Sequence, residues 1–137
     1  MSSAVRPPSP KLQPLLRSSG RNRQEIVTVW WCGEFGRTPK IDWQSPWNGG
    51  RGHYGKVFSA VVAGGGFKGG HVVGSSDEKG EEVKERPVYP CDLIGSIYEL
   101  LGIAPDGPLP NPLGQALTVT PSAADGIPMA GRLTEIM

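Results

Sequence analysis

Two short polar segments carry the side chains of this sequence that could do chemistry. Glu34 and Arg37 lie in the segment that follows an apolar run, residues 26–31, and Arg51 and His53 lie in a glycine-rich segment that precedes the next apolar run. Polar and metal-binding groups are often carried on loops just beyond strand ends. These side chains are therefore the first candidates for a metal or anion site.

Each of these residues has more than one interpretation. Glu34 could ligate a metal ion, act as a base, or form an ion pair with Arg37. His53 could ligate a metal ion through its neutral imidazole, or be only an exposed loop histidine. If Glu34 and His53 meet, the first predicted strand ends where the second begins, and the two strands are antiparallel neighbours.

The glycine-rich run at residues 64–70 does not have the pattern of a phosphate-binding loop. It lacks the Gly-Lys-Ser/Thr ending of a P-loop and the spacing of the dinucleotide fingerprint. A tight turn that contains residues of positive φ is the better explanation. Lys68 within this run remains a candidate for contact with an anion.

Hydrophobic patterning predicts few elements to position these groups. Uncharged runs rich in β-branched and aromatic residues predict strands at residues 26–31 and 57–63, with a short third strand at 71–74. An apolar stripe at helical spacing predicts one helix, with Asp92 as its N-cap and Gly102 just past its end. The predicted fold class is α/β, a small mixed sheet with one main helix.

Length and composition predict one domain with loose ends. Gly and Pro form about a quarter of the 137 residues. We expect a disordered, basic, Pro/Ser-rich arm at 1–23, an α/β domain at 24–104 and a Pro-rich tail at 105–137. The formal net charge of +1 does not favour nucleic acid as a partner, although the basic arm leaves that partner open.

The remaining composition signals exclude some classes of protein. Cys32 and Cys91 form no CxxC motif and no His/Cys cluster, so a structural zinc site is not predicted, and whether they pair is left open. No apolar run is long enough to span a membrane, so no membrane partner is expected. The N-terminus lacks the apolar region of a signal peptide, which leaves the localisation open.

Three segments, taken in order, carry a resemblance to a known family. They are VWWCGEFGRTPKI at residues 29–41, GRGHYGKVFSAVVAGGGFKGG at 50–70 and DLIGSIYELLGI at 92–103. Together they resemble the C-terminal part of an uncharacterised bacterial sulfatase-like family in the alkaline phosphatase superfamily. The resemblance covers residues 24–104 and implies part of an α/β/α sandwich with divalent metals at the strand ends.

The resemblance also implies a chemistry and a set of site residues. The family chemistry would be hydrolysis of phosphate or sulfate esters, with metal ions stabilising charge on the transferring group. The implied metal ligands are Glu34 and His53, for zinc, manganese, calcium or magnesium. The implied anion contacts are Arg37, Arg51 and Lys68.

Two departures from the family shape the expected function. Gly52 stands where the family has an aspartate, which removes one carboxylate ligand, and the half of the family that holds the nucleophile has no counterpart here. We therefore expect a truncated sulfatase-like domain that is non-catalytic alone and binds a divalent metal or an oxyanion weakly. A missing half would leave an exposed edge or face, so we expect the fragment to rearrange, to associate with a second copy or with the other half, or to be only partly ordered.

Two alternatives stay open. The first is a non-enzymatic interaction protein that binds a partner chain or nucleic acid through its sheet edge or its basic arm. The second is a metal-dependent phosphate or sulfate ester hydrolase with a reassembled site.

Overall fold

The computed structural model describes residues 27–46 and 48–137 and has three two-stranded sheets and one α-helix. The coarse prediction of a small α/β fold is confirmed, with one α-helix among the described residues, but three separate two-stranded sheets replace the single mixed sheet that was predicted. The predicted arm at 1–23 and the side chain of Trp47 lie outside the described residues. The sheets pair β1 (Thr28–Cys32) with β4 (Ala60–Gly64), β2 (Gly36–Arg37) with β3 (His53–Tyr54), and β5 (Ser75–Ser76) with β6 (Val83–Glu85); helix α1 is Pro90–Leu100, and short 3₁₀ helices lie at Ala123–Asp125 and Thr134–Ile136.

The strands differ from the predicted ones in extent and in burial. The strand predicted at 57–63 begins only at Ala60, and residues 71–74 form no strand. Trp30 and Trp31 of β1 are both exposed, although the apolar run that predicts this strand is typical of a buried one. Among the described strands β1 pairs only with β4. A strand is buried only where other elements pack on its faces, and an apolar composition does not by itself provide them.

The chain forms two compact units, which are described separately. The helical unit contains described residues 27–29, Ala63–Val73 and Val88–Met137, and the hairpin unit contains Trp30–Val62 and Gly74–Pro87. The buried apolar side chains of the described chain, Leu93, Leu133 and Ile136, all belong to the helical unit.

Helix α1 begins three residues before the predicted position. Tyr89 is the N-cap residue in an extended conformation, and Pro90 occupies the first helical position, where the missing N–H is no loss. Asp92 is therefore inside the first turn rather than at the cap. Gly102 follows the C-cap with a φ of +77°, as the sequence predicted. Among the described residues, no helix is long and apolar enough to cross a bilayer.

The hairpin unit is built from two antiparallel strand pairs. In the β2–β3 pair Gly36 lies opposite Tyr54 and Arg37 opposite His53. The second pair, β5–β6, places Ser75 opposite Glu85 and encloses the acidic segment. These two pairs position the candidate site.

Candidate anion-binding site

The β2–β3 pair brings together two arginines that are 14 positions apart in sequence. Beyond β2 the pairing continues, since the Thr38 N–H donates to the Gly52 carbonyl at 3.0 Å and the Gly52 N–H donates to Thr38 Oγ1 at 3.0 Å. The Arg37 guanidinium then donates from Nη1 to the Arg51 carbonyl at 3.3 Å. Both arginine side chains are exposed.

Aromatic contacts hold Arg37 in place. The Phe35 ring stacks on the His53 ring with 3.8 Å between their centroids, and the guanidinium carbon of Arg37 lies 5.5 Å from the centroid of Phe35. A guanidinium over an aromatic face at this distance is a favourable cation–π geometry. Phe35 therefore orients the arginine through its ring.

A tight turn at the tip of the β5–β6 pair presents a third cation, Lys79. The Asp77 carboxylate accepts the Glu81 N–H at 2.7 Å, and the Gly80 N–H donates to the Asp77 carbonyl at 3.1 Å. The hydrogen bond from Glu81 is the main reason that the pKa of the Asp77 carboxyl lies below its ordinary value. The hydrogen bond that closes the turn is therefore strongest when the Asp77 carboxyl is ionised.

Two contacts join this turn to the β2–β3 pair. The Tyr54 hydroxyl donates to the Glu81 carbonyl at 2.7 Å. Lys56 donates to the Glu82 carboxylate, and this hydrogen bond raises the pKa of the Lys56 amine above its ordinary value. Both ends of the Lys56–Glu82 pair are exposed, so the ion pair adds little stability.

The result is an open pocket with a volume of about 400 Å³ within the hairpin unit. Arg37, Arg51 and Lys79 line it, together with Ser59, and no acidic residue does. In the part of the chain that the structure describes, none of the three cations forms an ion pair with a carboxylate. Positive charges that line one cleft raise the local concentration of anions there.

A contrasting polar cluster lies in the helical unit. The Asp92 carboxylate is completely buried and accepts the N–H groups of Tyr89 at 2.9 Å, Ala130 at 3.0 Å and Gly131 at 2.9 Å. Three backbone donors on one carboxylate satisfy a buried charge that would otherwise be strongly unfavourable. Asp92 therefore ties the segment near the C-terminus to the first turn of α1.

Ser96, one turn further along α1, makes a second link to the same segment. Its Oγ donates to the Asp92 carbonyl at 2.7 Å and accepts the Leu133 N–H at 2.8 Å. Ser96 is completely buried and Leu133 nearly so. Since these groups bond one another, this cluster is structural and has no group left for a ligand.

The structure separates the predicted anion contacts. Arg37 and Arg51 line the same pocket, whereas Lys68 belongs to the helical unit, where its N–H donates to the Ile136 carbonyl at 2.8 Å. Lys68 is not among the residues that line the pocket.

The predicted metal ligands, Glu34 and His53, are both exposed. An ion pair between Glu34 and Arg37 is not seen among the described side chains. Within residues 27–46 and 48–137, no group of three or more His, Cys, Asp or Glu side chains could hold a metal ion. Metal binding by Glu34 and His53 stays a prediction.

Lys79 was missed as a candidate, and Ser59 was not among the predicted site residues. Lys79 lies in a segment that reads as acidic, with Asp77 and Glu78 just before it and two glutamates soon after. The Asp-x-x-Gly spacing from Asp77 to Gly80 is a turn signal that predicts Lys79 at a turn tip. Its place beside the arginines depends on contacts across the unit, which the local sequence does not encode.

The fold and the pocket define a small mixed α/β protein with a cationic surface site. The family model described as "Protein of unknown function (DUF1501)" matches residues 19–128, and the chain belongs to this family. No curated protein and no solved structure matches the chain.

The family match corrects one prediction. The assignment to a sulfatase-like family of the alkaline phosphatase superfamily is wrong, because the matching family is one of unknown function and nothing in the comparisons indicates a sulfatase or an alkaline phosphatase. The third sequence segment lies on helix α1 and the turn after it, and the first two are motifs of glycines, aromatics and basic residues around short strands. Such residues also serve turns and hairpins, which is the role that the structure gives to most of them.

Proposed function

We propose that the hairpin unit binds a ligand that carries an oxyanion, such as a phosphate, sulfate or carboxylate group. The observation that carries the proposal is the convergence of Arg37, Arg51 and Lys79, from three separate chain segments, on one pocket without an acidic lining residue. A surface that gathers like charges loses stability through their repulsion unless a counter-charge binds there. An oxyanion supplies that counter-charge.

The types of the three residues suit this role. Arginine offers a planar set of N–H donors that matches the oxygens of carboxylate and phosphate, and lysine adds a point charge. The Ser59 hydroxyl, which also lines the pocket, can donate one further hydrogen bond. Because Arg37 is held by Phe35 and by the Arg51 carbonyl, less side-chain freedom is lost when the ligand binds.

A titration with sodium sulfate, followed by amide chemical shifts, tests the proposal. At low ionic strength we expect saturable shifts for the amides around Arg37, Arg51 and Lys79, with a dissociation constant on the order of 1 mM. Sodium chloride at matched ionic strength is the control, because screening alone changes shifts without saturation. Saturable shifts only around Lys68, or none at all, would overturn the proposal.

A second candidate function is association of two copies of the chain, and exposed apolar side chains favour it. Trp31 is 64% exposed and Val61 is 53% exposed, on β1 and β4 respectively. Each of these strands has one partner strand among the described residues, so a free edge is available for pairing. Sedimentation equilibrium should then show a dimer that Trp31→Ser converts to monomer; a wild-type monomer at all concentrations would contradict it.

A further inference from the structure

The pocket contains more than its cations. Its volume of about 400 Å³ falls in the range of sites that hold small molecules or side chains, and it exceeds what one tetrahedral oxyanion fills. Its lining also includes apolar residues, among them Pro39, Val57 and Phe58. An inorganic anion would leave these apolar residues in contact with water.

The two phenylalanines of the pocket differ in what they already contact. Phe35 has His53 against its ring and Arg37 over it, so its ring orients the arginine. Phe58 takes part in no ring stacking or cation–π contact among the described residues, and 42% of it is exposed. Phe58 is therefore the apolar surface that a ligand could cover.

Resting on the proposed oxyanion function, we infer that the pocket is a docking site for an acidic peptide segment, in which carboxylates flank one aromatic or aliphatic side chain. The carboxylates pair with Arg37, Arg51 and Lys79, and the apolar side chain lies against Phe58. The positive charge of the pocket requires a negatively charged partner, and the exposed Phe58 ring favours a partner with an apolar side chain between its carboxylates.

The openness of the site favours a peptide over a small free anion. Small-molecule sites enclose most of the surface of their ligand, whereas this pocket is open to solvent. A peptide suits such a site, because its backbone can stay in solvent while its side chains enter the pocket.

The test uses the full chain and three capped peptides, Glu-Phe-Glu, Glu-Ala-Glu and Gln-Phe-Gln, with sulfate titrated in parallel. We expect Glu-Phe-Glu to bind about tenfold more tightly than Glu-Ala-Glu, since the phenyl group removes apolar surface from water against Phe58. Gln-Phe-Gln should bind more weakly than either acidic peptide. Sulfate should compete with Glu-Phe-Glu.

Substitutions assign the tenfold preference to one side chain. Phe58→Ala should abolish the preference for Glu-Phe-Glu over Glu-Ala-Glu, and Phe58→Leu should keep most of it. Val83→Ala is the matched control, because Val83 has a similar exposure of 43% in the same unit and does not line the pocket. The dissociation constant of sulfate should be the same in all three variants.

The outcomes separate this inference from the proposed function. If sulfate binds at the three cations but the phenyl group gives no advantage, the peptide inference is wrong and the oxyanion function stands. If neither sulfate nor peptide binds, both are wrong. If phenylacetate binds more tightly than Glu-Phe-Glu with the same dependence on Phe58, the ligand is a small aromatic carboxylate and the peptide inference is wrong.

Discussion

Arg132 in the helical unit and the arginine pair Arg37 and Arg51 in the hairpin unit differ in what their side chains contact. In the helical unit Arg132 is largely covered and donates to the Asp106 carboxylate at 3.0 Å, with Glu99 also within 3.7 Å. In the hairpin unit Arg37 and Arg51 are exposed, and neither pairs with a carboxylate among the described residues. The same side chain thus neutralises the protein's own acids in one unit and is available to external acids in the other.

The buried polar groups sharpen this contrast. Asp92 and Ser96 are completely buried, and each makes the hydrogen bonds that its position requires. A polar group that is buried and satisfied adds to stability and specificity of the fold, because removing one partner leaves the other unpaired. An exposed cation without a partner adds little to stability. Substitutions of the buried polar groups in the helical unit should therefore lower stability, whereas substitutions of the exposed cations in the hairpin unit should weaken anion binding.

The largest expected effect is in the helical unit. Asp92→Asn should lower the free energy of unfolding by about 3 kcal/mol, because the amide keeps one acceptor oxygen but turns N–H groups toward backbone donors that are buried. Urea denaturation followed by circular dichroism measures it. Asp106→Asn, at an aspartate that is 80% exposed, is the matched control and should change stability by less than about 1 kcal/mol. Equal losses in the two variants would contradict a structural role for burial at Asp92.

A smaller loss of stability is expected from a substitution in the hairpin unit at Gly36, where two backbone segments lie close together. A β-carbon at Gly36 would collide with the Val57 carbonyl and would lie 2.8 Å from the Tyr54 carbonyl. Gly36→Ala should therefore cost about 2 kcal/mol and weaken sulfate binding, because β2 must shift and carry Arg37 with it. Gly55→Ala is the control, since a β-carbon there meets nothing within 4 Å. A Gly36→Ala variant with unchanged stability and affinity would contradict the described pairing of β2 and β3.

The smallest expected effect is a pH dependence of the turn that carries Lys79. The pKa of Asp77 lies below its ordinary value because the Glu81 N–H donates to the ionised carboxylate. A carboxylate with a lowered pKa in the folded state contributes stability that is present above its unfolded pKa of about 3.9 and is lost as the pH falls through the folded pKa. The Glu81 amide resonance should therefore titrate with an apparent pKa below that value.

An equivalent group in the other unit serves as a comparison. The Ser122 N–H donates to Asp125, and this bond likewise lowers the pKa of the Asp125 carboxyl. The Ser122 amide should titrate in the same acidic window, but only the transition at Asp77 should also move the amide of Lys79. Asp77→Asn should remove the titration at Glu81. A Glu81 amide that titrates at or above the ordinary value would refute the proposed hydrogen bond.

The helix was predictable from sequence because its signals are local. Pro90, the apolar stripe and Gly102 all act within one or two turns, and only the start of the helix was misplaced. The strands were less predictable because burial depends on what covers them. Trp30 and Trp31 are typical of a buried strand by composition, yet both are exposed.

The candidate site was predictable in part for the same reason. Arg37 and Arg51 lie beside the glycine-rich segments, where sequence reasoning places functional groups, and a short antiparallel pair brings them together. Lys68 has the same kind of local setting but belongs to the other unit. Lys79 was not predicted because the residues around it are mostly acidic. Its position depends on the hydrogen bond from Tyr54 to the Glu81 carbonyl, 27 positions away in sequence.

The comparison of sulfate affinity between Arg51→Gln and Lys84→Gln tests the central claim most directly. Each substitution removes one positive charge from an exposed side chain of the hairpin unit, but only Arg51 lines the pocket. At low ionic strength we expect Arg51→Gln to weaken sulfate binding about five- to tenfold, through loss of a charge-assisted contact. Lys84→Gln should stay within about twofold of wild type, since an exposed charge that does not line the pocket acts on the anion only through high-dielectric water. Equal loss in the two variants, or no saturable binding by the wild type, would contradict the account.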